Sequence, residues 1–235
     1  MSATRPITIM SYIQKVIVAG TGGSIGPAIT SALHAANFTV SVLFRKSSTS
    51  TYPSYVNVLN TDYSPPSLLK AFQGQDAVVG AVGSMGTLEQ IKMIDAAAEV
   101  GVKRFISSDV CHLVKESEEN KNLTWTYVAS GFFLDWALLE FPAFGFVMKA
   151  KTATIYDSGT APVTGTTRAS VGTAIANVLK HLAETANRTV RTCTAVVTQN
   201  DILLAFEEAT EAKWNVTKAD IKDVLADAKE ALKKQ

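Results

Sequence analysis

The sequence has few charged residues, almost no cysteine and no long apolar run. Lysine, arginine, aspartate and glutamate make up 18% of the 235 residues, and the formal net charge is +1. This balance offers no broad electrostatic surface to nucleic acid or to anionic lipid. No stretch approaches the roughly 20 apolar residues that cross a bilayer, and residues 1–10 lack the apolar run of a secretory signal. We therefore expect a cytosolic protein whose partner is a small molecule, with no nucleic-acid or membrane partner.

The cysteines and histidines do not form a recognisable metal site. Cys111 and Cys193 are the two cysteines, and neither belongs to a CxxC motif. His34, His112 and His181 lie far apart, without the paired spacing typical of zinc ligands. We predict no metal ion.

The first half of the chain alternates short runs rich in β-branched residues with helical patterns. The runs predict strands at residues 15–20, 38–44, 55–60, 76–82 and 104–108, and a sixth at 123–130. This order is typical of a parallel sheet covered by helices on both faces. The sequence therefore predicts an α/β fold with a doubly wound parallel sheet.

The helices are predicted from apolar stripes and from residues that favour helix ends. One stripe joins Ile25, Ala28, Ile29, Ala32 and Leu33, and another joins Ile91, Ile94, Ala97 and Ala98. A helix over residues 170–184 is predicted to bury Val171, Ile175, Val178, Leu179 and Leu182. Pro65 and Pro66 are suited to a first helical turn, and two late helices are expected to start with capping boxes at residues 198–201 and 217–220.

A glycine-rich turn joins the first predicted strand to the helix after it. The sequence VIVAGTGGSIGPAI places Gly20, Gly23 and Gly26 there, with Gly22 in addition. Such a turn suits close approach of a pyrophosphate, because glycine adopts unusual φ values and the helix N-terminus offers free amides. The alternative is a plain tight turn. We predict a Rossmann-like dinucleotide-binding site that includes Gly20, Thr21, Gly22, Gly23, Ser24, Ile25 and Gly26.

The end of the second predicted strand indicates which dinucleotide is preferred. An enzyme that uses NAD normally places a carboxylate there for the ribose hydroxyls, whereas this chain has Arg45 and Lys46. A guanidinium beside an ammonium suits the 2′-phosphate of NADP(H), although a solvated basic strand end remains an alternative. Asp62, after the third strand, is placed either to meet the adenine side or to cap the following helix.

The chain resembles a known family over most of its length. The matching segments, in order, are GTGGSIG, LFRKSS, GQDAVVGAVG, QIKMIDAAAEVGVKRFISSD, LTWTYVASGFFLDW, KTATIYDSG and VVTQNDILLAF. They resemble the NmrA-like and isoflavone-reductase-like branch of the atypical short-chain dehydrogenases, particularly its fungal members. The resemblance implies an NADP(H)-bound Rossmann domain with Ala81, Val82 and Gly83 along the cofactor trough. It also implies a smaller C-terminal region over the nicotinamide.

We expect one domain over residues 1–235. Residues 14–130 are its cofactor-binding core, and residues 131–235 form a smaller α+β region on the substrate side. Two departures from the family concern the active site. The segment that should carry the catalytic lysine is shortened after Ser107-Ser108-Asp109, and the C-terminus stops early. Lys115 and Lys121 align with the later, exposed part of the family's helix. The Tyr-x-x-x-Lys pair of typical short-chain dehydrogenases is absent from the sequence.

The remaining candidates for chemistry lie around the fifth and sixth strands. Ser107 lies at the carboxyl end of the fifth predicted strand, where parallel sheets face their ligands, and it is predicted to contact the cofactor. Serines at strand ends are, however, often turn formers. The candidate catalytic residues are Lys115, His112 and Ser108, while a solvated loop histidine is the alternative for His112. The family places substrate-facing groups after the sixth strand, at Tyr127, Gly131, Phe132 and Phe133, but a buried core explains such aromatic residues equally well.

These features favour an NADPH-dependent reductase of a small aromatic or polyketide-like metabolite, acting in secondary metabolism. Because the lysine segment is shortened, a redox sensor that binds NADP(H) without turnover is a second hypothesis. A third is an isomerase or cyclase that keeps the cofactor as a fixed element. A homodimer or a protein partner is compatible with each of these three hypotheses.

Overall fold

The computed structural model describes residues 12–45, 50–83, 86, 88–107, 123–140 and 144–233. They fall into two compact units: one contains the described residues up to Ala129 together with 169–191, and the other contains residues 130–168 and those from 192 onwards. The first division falls between Ala129 and Ser130. Residues 169–191, which we expected on the substrate side, belong to the first unit. That the units work as one domain stays a prediction.

The elements are numbered along the chain. The strands are β1 (Lys15–Ala19), β2 (Thr39–Arg45), β3 (Asn57–Thr61), β4 (Ala77–Gly80), β5 (Arg104–Ser107), β6 (Thr124–Ala129), β7 (Phe132–Phe133), β8 (Phe146–Val147), β9 (Thr152–Tyr156), β10 (Val163–Thr166), β11 (Arg188–Arg191), β12 (Ala195–Val197) and β13 (Asn215–Ala219). The helices are α1 (Gly26–Ala35), α2 (Pro65–Phe72), α3 (Glu89–Glu99), α4 (Leu134–Leu139), α5 (Arg168–Lys180), α6 (Leu182–Thr185), α7 (Gln199–Ala209) and α8 (Ile221–Lys233). No helix in these described ranges is long and apolar enough to span a bilayer.

The first unit is built on a seven-stranded sheet in the order β11-β6-β5-β4-β1-β2-β3. Every neighbouring pair in it is parallel. Right-handed crossovers therefore place α1, between β1 and β2, on the opposite face from α3, between β4 and β5. The predicted doubly wound parallel sheet is confirmed, and its order reverses between β1 and β4.

Each face of this sheet is covered by two long helices. On one face, α2 and α3 pack on Ile17, Val78 and Phe105, which are fully buried. On the other, α5 lies so close to α1 that a Cβ at Gly172 would be 2.9 Å from the Ala32 side chain. Strand residues alternate between these faces, so the runs of apolar residues in β1 and β4 are buried on both sides.

A buried arginine in β5 links this strand to β6 and to α6 through hydrogen bonds. Arg104 begins β5 and is 1% exposed. Its guanidinium donates to the hydroxyls of Thr124, Thr126 and Thr185 at 2.8, 2.7 and 2.9 Å, and to the Leu182 carbonyl at 2.6 Å. Burial lowers the pKa of Arg104 to about 10, which leaves it charged at neutral pH. These bonds hold the turn at α6 against β5 and β6.

The second unit contains two small sheets and its own apolar core. The sheets have the orders β12-β10-β7 and β13-β9-β8. The core includes Phe146, Ile155, Ile202 and Trp214. This mixture of small sheets and helices matches the α+β region that the sequence predicts.

Several predicted boundaries are corrected by the structure. The third strand covers 57–61 rather than 55–60. The inward face of α3 contains Gln90, Met93, Ile94, Ala96 and Ala97, so the predicted stripe is displaced and Ile91 and Ala98 are half-buried. The predicted helix at 170–184 is interrupted at His181, and Leu182 lies in the short α6.

The two predicted capping boxes have different outcomes. At α7, Thr198 and Asp201 form the complete capping box. At α8, Thr217 lies inside β13, and the Asp220 carboxylate accepts the Lys222 amide at 2.8 Å. The predicted start at Thr217 is therefore wrong, because pairing of β13 with β9 extends the chain through Ala219.

One carboxylate joins the amino ends of two sheet strands and supports a stability prediction. Asp76 accepts the amides of Gln14 and Lys15, both at 2.9 Å, and the Lys103 ammonium at 2.7 Å. Burial raises the pKa of Asp76, but the bonds from Lys103, Lys15 and Gln14 together hold it below its ordinary value of 3.8. The carboxylate therefore stabilises the fold above that pH, and this contribution is lost as pH falls through the lower folded-state pKa.

We predict that Asp76→Asn lowers the free energy of unfolding by about 1–3 kcal/mol at neutral pH, since charge-assisted bonds are removed. Urea denaturation should show the difference from wild type shrinking as pH drops below 3.8. Asp95→Asn, on the exposed side of α3, is the matched control and should change stability by less than about 0.5 kcal/mol. A difference that stays constant with pH would contradict the assignment.

Candidate functional site

The carboxyl ends of β1, β2 and β4 surround a cavity at the point where the strand order reverses. Open parallel sheets bind ligands at this position, because the loops from neighbouring strands diverge there. We call it the glycine-loop cavity. It has a volume of about 400 Å³ and is lined by Gly20, Thr21, Gly22, Gly23, Leu43, Phe44, Arg45, Tyr52, Tyr63, Ala81, Val82, Gly83 and Gly86.

Gly20 can be replaced by no other residue without moving the backbone. Its φ is +83°, in the left-handed region that favours glycine. A Cβ there would lie 2.6 Å from the Ala81 carbonyl carbon and 2.7 Å from the Val82 nitrogen. The loop after β1 therefore rests directly on the chain that leaves β4.

The other glycines of the loop have distinct surroundings. A Cβ at Gly26 would meet backbone atoms of Thr21, so this glycine lets α1 start close to the loop. At Gly23 the nearest atom would be the Gly20 oxygen at 3.5 Å, which is ordinary contact. Ser24 is exposed, and Ile25 is the residue that precedes α1 without a side-chain cap. The start of α1 thus keeps amide donors for an anion.

Tyr52 is a site residue that the sequence did not reveal. Its hydroxyl shares a 2.7 Å hydrogen bond with the Thr21 hydroxyl, and Thr21 is buried. Its ring meets Phe44 edge to face, with centroids 5.9 Å apart. Tyr52 therefore connects the glycine loop to the end of β2. No short-range pattern marks it, because it comes seven residues after the strand.

Arg45 ends β2 and lies over the ring of Tyr63, with the guanidinium carbon 4.6 Å from the ring centroid. The pair also borders a second cavity of about 590 Å³, lined by Arg45, Thr61, Asp62, Tyr63, Ser64, Pro65, Glu89 and Lys92. We call it the strand-end cavity. Burial raises the pKa of Tyr63, an effect that the charge of Arg45 partly offsets. The tyrosine is therefore neutral at physiological pH.

Asp62 forms a local turn before α2. Its carboxylate accepts the Ser64 amide at 2.9 Å and the Ser64 hydroxyl at 2.6 Å. The side-chain bond from Ser64, with its backbone bond, lowers the pKa of Asp62 below the ordinary value. Both bonds go to Ser64, which precedes α2, and the start of α2 has no side-chain cap, so the predicted capping role stays a prediction. The role toward the adenine also stays a prediction, and Asp62 does line the strand-end cavity.

Three predicted residues follow β4 and border the glycine-loop cavity. Ala81 is buried and donates its amide to the Ala19 carbonyl at 2.8 Å, which extends the pairing of β4 with β1. Val82 is half-buried, and a Cβ at Gly83 would meet no atom within 4 Å. This open stretch of backbone gives a flat ligand room to approach.

Ser107 and Tyr127 end up as neighbours in the sheet. Ser107 is the last residue of β5, is buried, and pairs in register with Tyr127 of β6. Tyr127 is half-buried. The contact of Ser107 with a cofactor and of Tyr127 with a substrate remain predictions.

The other predicted substrate residues lie in the second unit. Gly131 has φ +63°, and a Cβ there would meet the Thr164 backbone, so the fold itself requires glycine at this position. Phe132 is 51% exposed and packs edge to face with Phe144 at 4.9 Å. Phe133 is half-buried before α4. Their substrate contacts also stay predictions.

Four predicted site residues are outside the described part of the chain. They are Lys46, next to Arg45, and the three catalytic candidates Ser108, His112 and Lys115. Of the other histidines, His34 stacks on Tyr55 with centroids 3.9 Å apart, and His181 contacts the Asn177 carbonyl at 2.9 Å. These two contacts are structural.

The strand order, the glycine loop at its reversal and the basic residue that ends β2 together define a Rossmann-type dinucleotide-binding protein. The NmrA-like family model matches residues 13–125. Oxidoreductase poxI of Penicillium oxalicum is 36% identical over 234 residues, covering 90% of this chain and 74% of that protein. Oxidoreductase aprR of Aspergillus flavus is 36% identical over 245 residues, covering 94% and 82%. The chain belongs to the NmrA-like family, in the branch that includes the isoflavone-reductase-like proteins.

Solved structures agree on the fold. The leucoanthocyanidin reductase of Vitis vinifera, in its binary complex with NADPH, superimposes with a TM-score of 0.75 at 18% identity, covering 92% of this chain and 80% of that one. AtPrR2 with NADP⁺ and (+)pinoresinol gives a TM-score of 0.74 at 22% identity, covering 93% and 82%. The predicted family and fold are both confirmed.

The close approach at Gly20 predicts an unequal response to alanine along the loop. Gly20→Ala should lower the free energy of unfolding by about 2–4 kcal/mol, because it combines left-handed strain with overlap against the β4 backbone. Gly23→Ala should stay within about 1 kcal/mol of wild type, since its Cβ meets only ordinary contact. Chemical denaturation of the two variants measures this, and equal losses would contradict the packing described for Gly20.

Proposed function

We propose that this protein is an NADPH-dependent reductase of a small organic metabolite. The observation that carries the proposal is the glycine-loop cavity, which is lined by open glycine backbone and by Arg45. The uncapped α1 begins at Gly26, soon after the lining residue Gly23. The oxidoreductases and NADP(H)-bound reductases similar to this chain support it.

The residues around the cavity fit a dinucleotide phosphate. Gly22 and Gly23 expose backbone to the cavity, and the amides at the start of α1 together with its positive dipole end favour a pyrophosphate. Arg45 would hold the 2′-phosphate through charge-assisted bonds. The backbone at Ala81, Val82 and Gly83 would lie along the cofactor.

The chain's role in the reaction is mainly to bind and orient. Bound NADPH supplies a hydride, and the protein positions the acceptor and excludes water. The proton would come from Lys115, His112 or a water held by Ser107 and Ser108. We propose an aromatic or polyketide-like acceptor, which Tyr127, Gly131, Phe132 and Phe133 would contact.

The test is a titration of purified, cofactor-stripped protein with NADPH, NADP⁺ and NADH, followed by a screen of carbonyl and enone compounds for NADPH oxidation. Calorimetry measures the affinities, and the loss of NADPH absorbance measures turnover. We expect tight NADPH binding and oxidation with at least one member of the panel. Binding without any oxidation would contradict the reductase and favour a redox sensor, whose affinities for NADPH and NADP⁺ should differ.

Arg45→Ala should weaken NADPH binding by about tenfold to a hundredfold, as expected for the loss of bonds to a charged group. NADH, which has no 2′-phosphate, should weaken by less than about threefold. Lys70→Ala, on the exposed side of α2, is the control for a general loss of positive charge and should change neither affinity. Equal losses of NADPH and NADH affinity in Arg45→Ala would remove the evidence for 2′-phosphate recognition.

A further inference from the structure

The ring of Tyr63 lies beneath the guanidinium of Arg45, the group that we assign to the cofactor 2′-phosphate. The sequence around Tyr63 does not predict this contact. Tyr63 follows β3 by two residues and has φ +63°, which a large side chain adopts at a cost. Its amide donates to the Thr61 hydroxyl at 2.9 Å, and Thr61 is buried. The backbone is therefore held in a strained turn that points to a specific use of the ring.

The ring itself is fixed by the core of the first unit. Tyr63 is 9% exposed and belongs to the apolar cluster that includes Leu43, Leu68 and Phe72. Arg45, by contrast, is exposed. Its guanidinium carbon lies 4.6 Å from the centroid of the ring, within the range of a cation–π contact. A buried, neutral aromatic face thus lies against an exposed charged side chain.

Besides its ring contact, Tyr63 also offers its hydroxyl to the Arg45 side chain as a hydrogen-bond partner, and the remaining guanidinium donors have no ion-pair partner among the described residues. A ring packed against one face of a guanidinium leaves the N–H groups at its edge free to point at an anion. Arg45 borders both the glycine-loop cavity and the strand-end cavity, so this edge lies where a phosphate of the dinucleotide could reach.

We propose that Tyr63 is a positioning residue for cofactor choice: its ring holds the Arg45 guanidinium in the orientation that binds the 2′-phosphate. This inference rests on the proposed function. The ring reduces the side-chain freedom that Arg45 must give up on binding, so affinity for NADPH rises while affinity for NADH is unaffected. Tyr63 makes no direct contact with the phosphate in this role.

The experiment compares NADPH and NADH affinities, by calorimetry, for wild type, Tyr63→Phe and Tyr63→Leu. Tyr63→Leu should weaken NADPH by about threefold to tenfold, the range of a cation–π contact, and leave NADH unchanged. Tyr63→Phe keeps the ring and should keep the preference. If Tyr63→Leu does not fold, as judged by thermal unfolding, Tyr63→Met also lacks the ring and fills more of the space.

Two controls separate positioning from packing. Tyr55→Leu removes another stacked ring, the one 3.9 Å from His34, and should leave the ratio of NADPH to NADH affinity unchanged. In an Arg45→Ala background, Tyr63→Leu should cause no further loss of NADPH affinity, because the group it positions is gone.

The outcomes distinguish this inference from the proposed function. Equal weakening of NADPH and NADH by Tyr63→Leu would show a packing role and overturn the inference. An unchanged NADPH preference in Tyr63→Leu, together with its loss in Arg45→Ala, would also overturn the inference. The proposed function would survive that result. A wild-type protein that shows no preference for NADPH would overturn both.

Discussion

The contact between Gly20 and the chain leaving β4 is the constraint on which the rest of the site depends. The strand order reverses between β1 and β4, so the two connections diverge and open a crevice. At the base of that crevice the Gly20 backbone packs directly against the backbone of Ala81 and Val82, and no Cβ fits at Gly20. Because the loop turns so tightly there, Gly22 and Gly23 present backbone to the cavity and α1 starts directly behind them. A ligand with a phosphate therefore meets amides and a helix dipole in place of side chains.

Recognition at the two ends of the cavity relies on different physics. The glycine loop offers backbone donors, which suit any pyrophosphate and cannot tell one dinucleotide from another. Arg45 offers a side-chain charge. The contribution of that charge to the binding of a 2′-phosphate depends on where the guanidinium is held. Tyr63 contacts that guanidinium from a core position. In the proposed roles, discrimination between cofactors is a property of Arg45 at the end of β2 and Tyr63 just after β3, added to a glycine loop that offers backbone donors.

Local patterns in the sequence predicted the parts of the structure that local chemistry decides. The parallel strands follow from apolar β-branched runs, and the glycine loop from its place between a strand and a helix. The tyrosines of the site could not be predicted this way. Tyr52 reaches Thr21 from 31 residues away, and Tyr63 meets Arg45 only because β2 and β3 pair. The buried Arg104 was missed for a similar reason, since its partners at Thr126, Leu182 and Thr185 come from distant segments. The catalytic candidates lie outside the described residues, so their placement stays a prediction.

The register of the sheet links these long-range contacts to cofactor choice. Arg45 pairs with Thr61 across β2 and β3, and the Thr61 hydroxyl holds the amide of Tyr63. A slip of one residue would invert the faces of β3 and move both Thr61 and the turn that carries Tyr63. The Tyr63 ring would then leave the apolar cluster that fixes it, and Arg45 would lose its support. The register in which β2 pairs with β3 therefore also fixes where Arg45 and Tyr63 lie relative to each other.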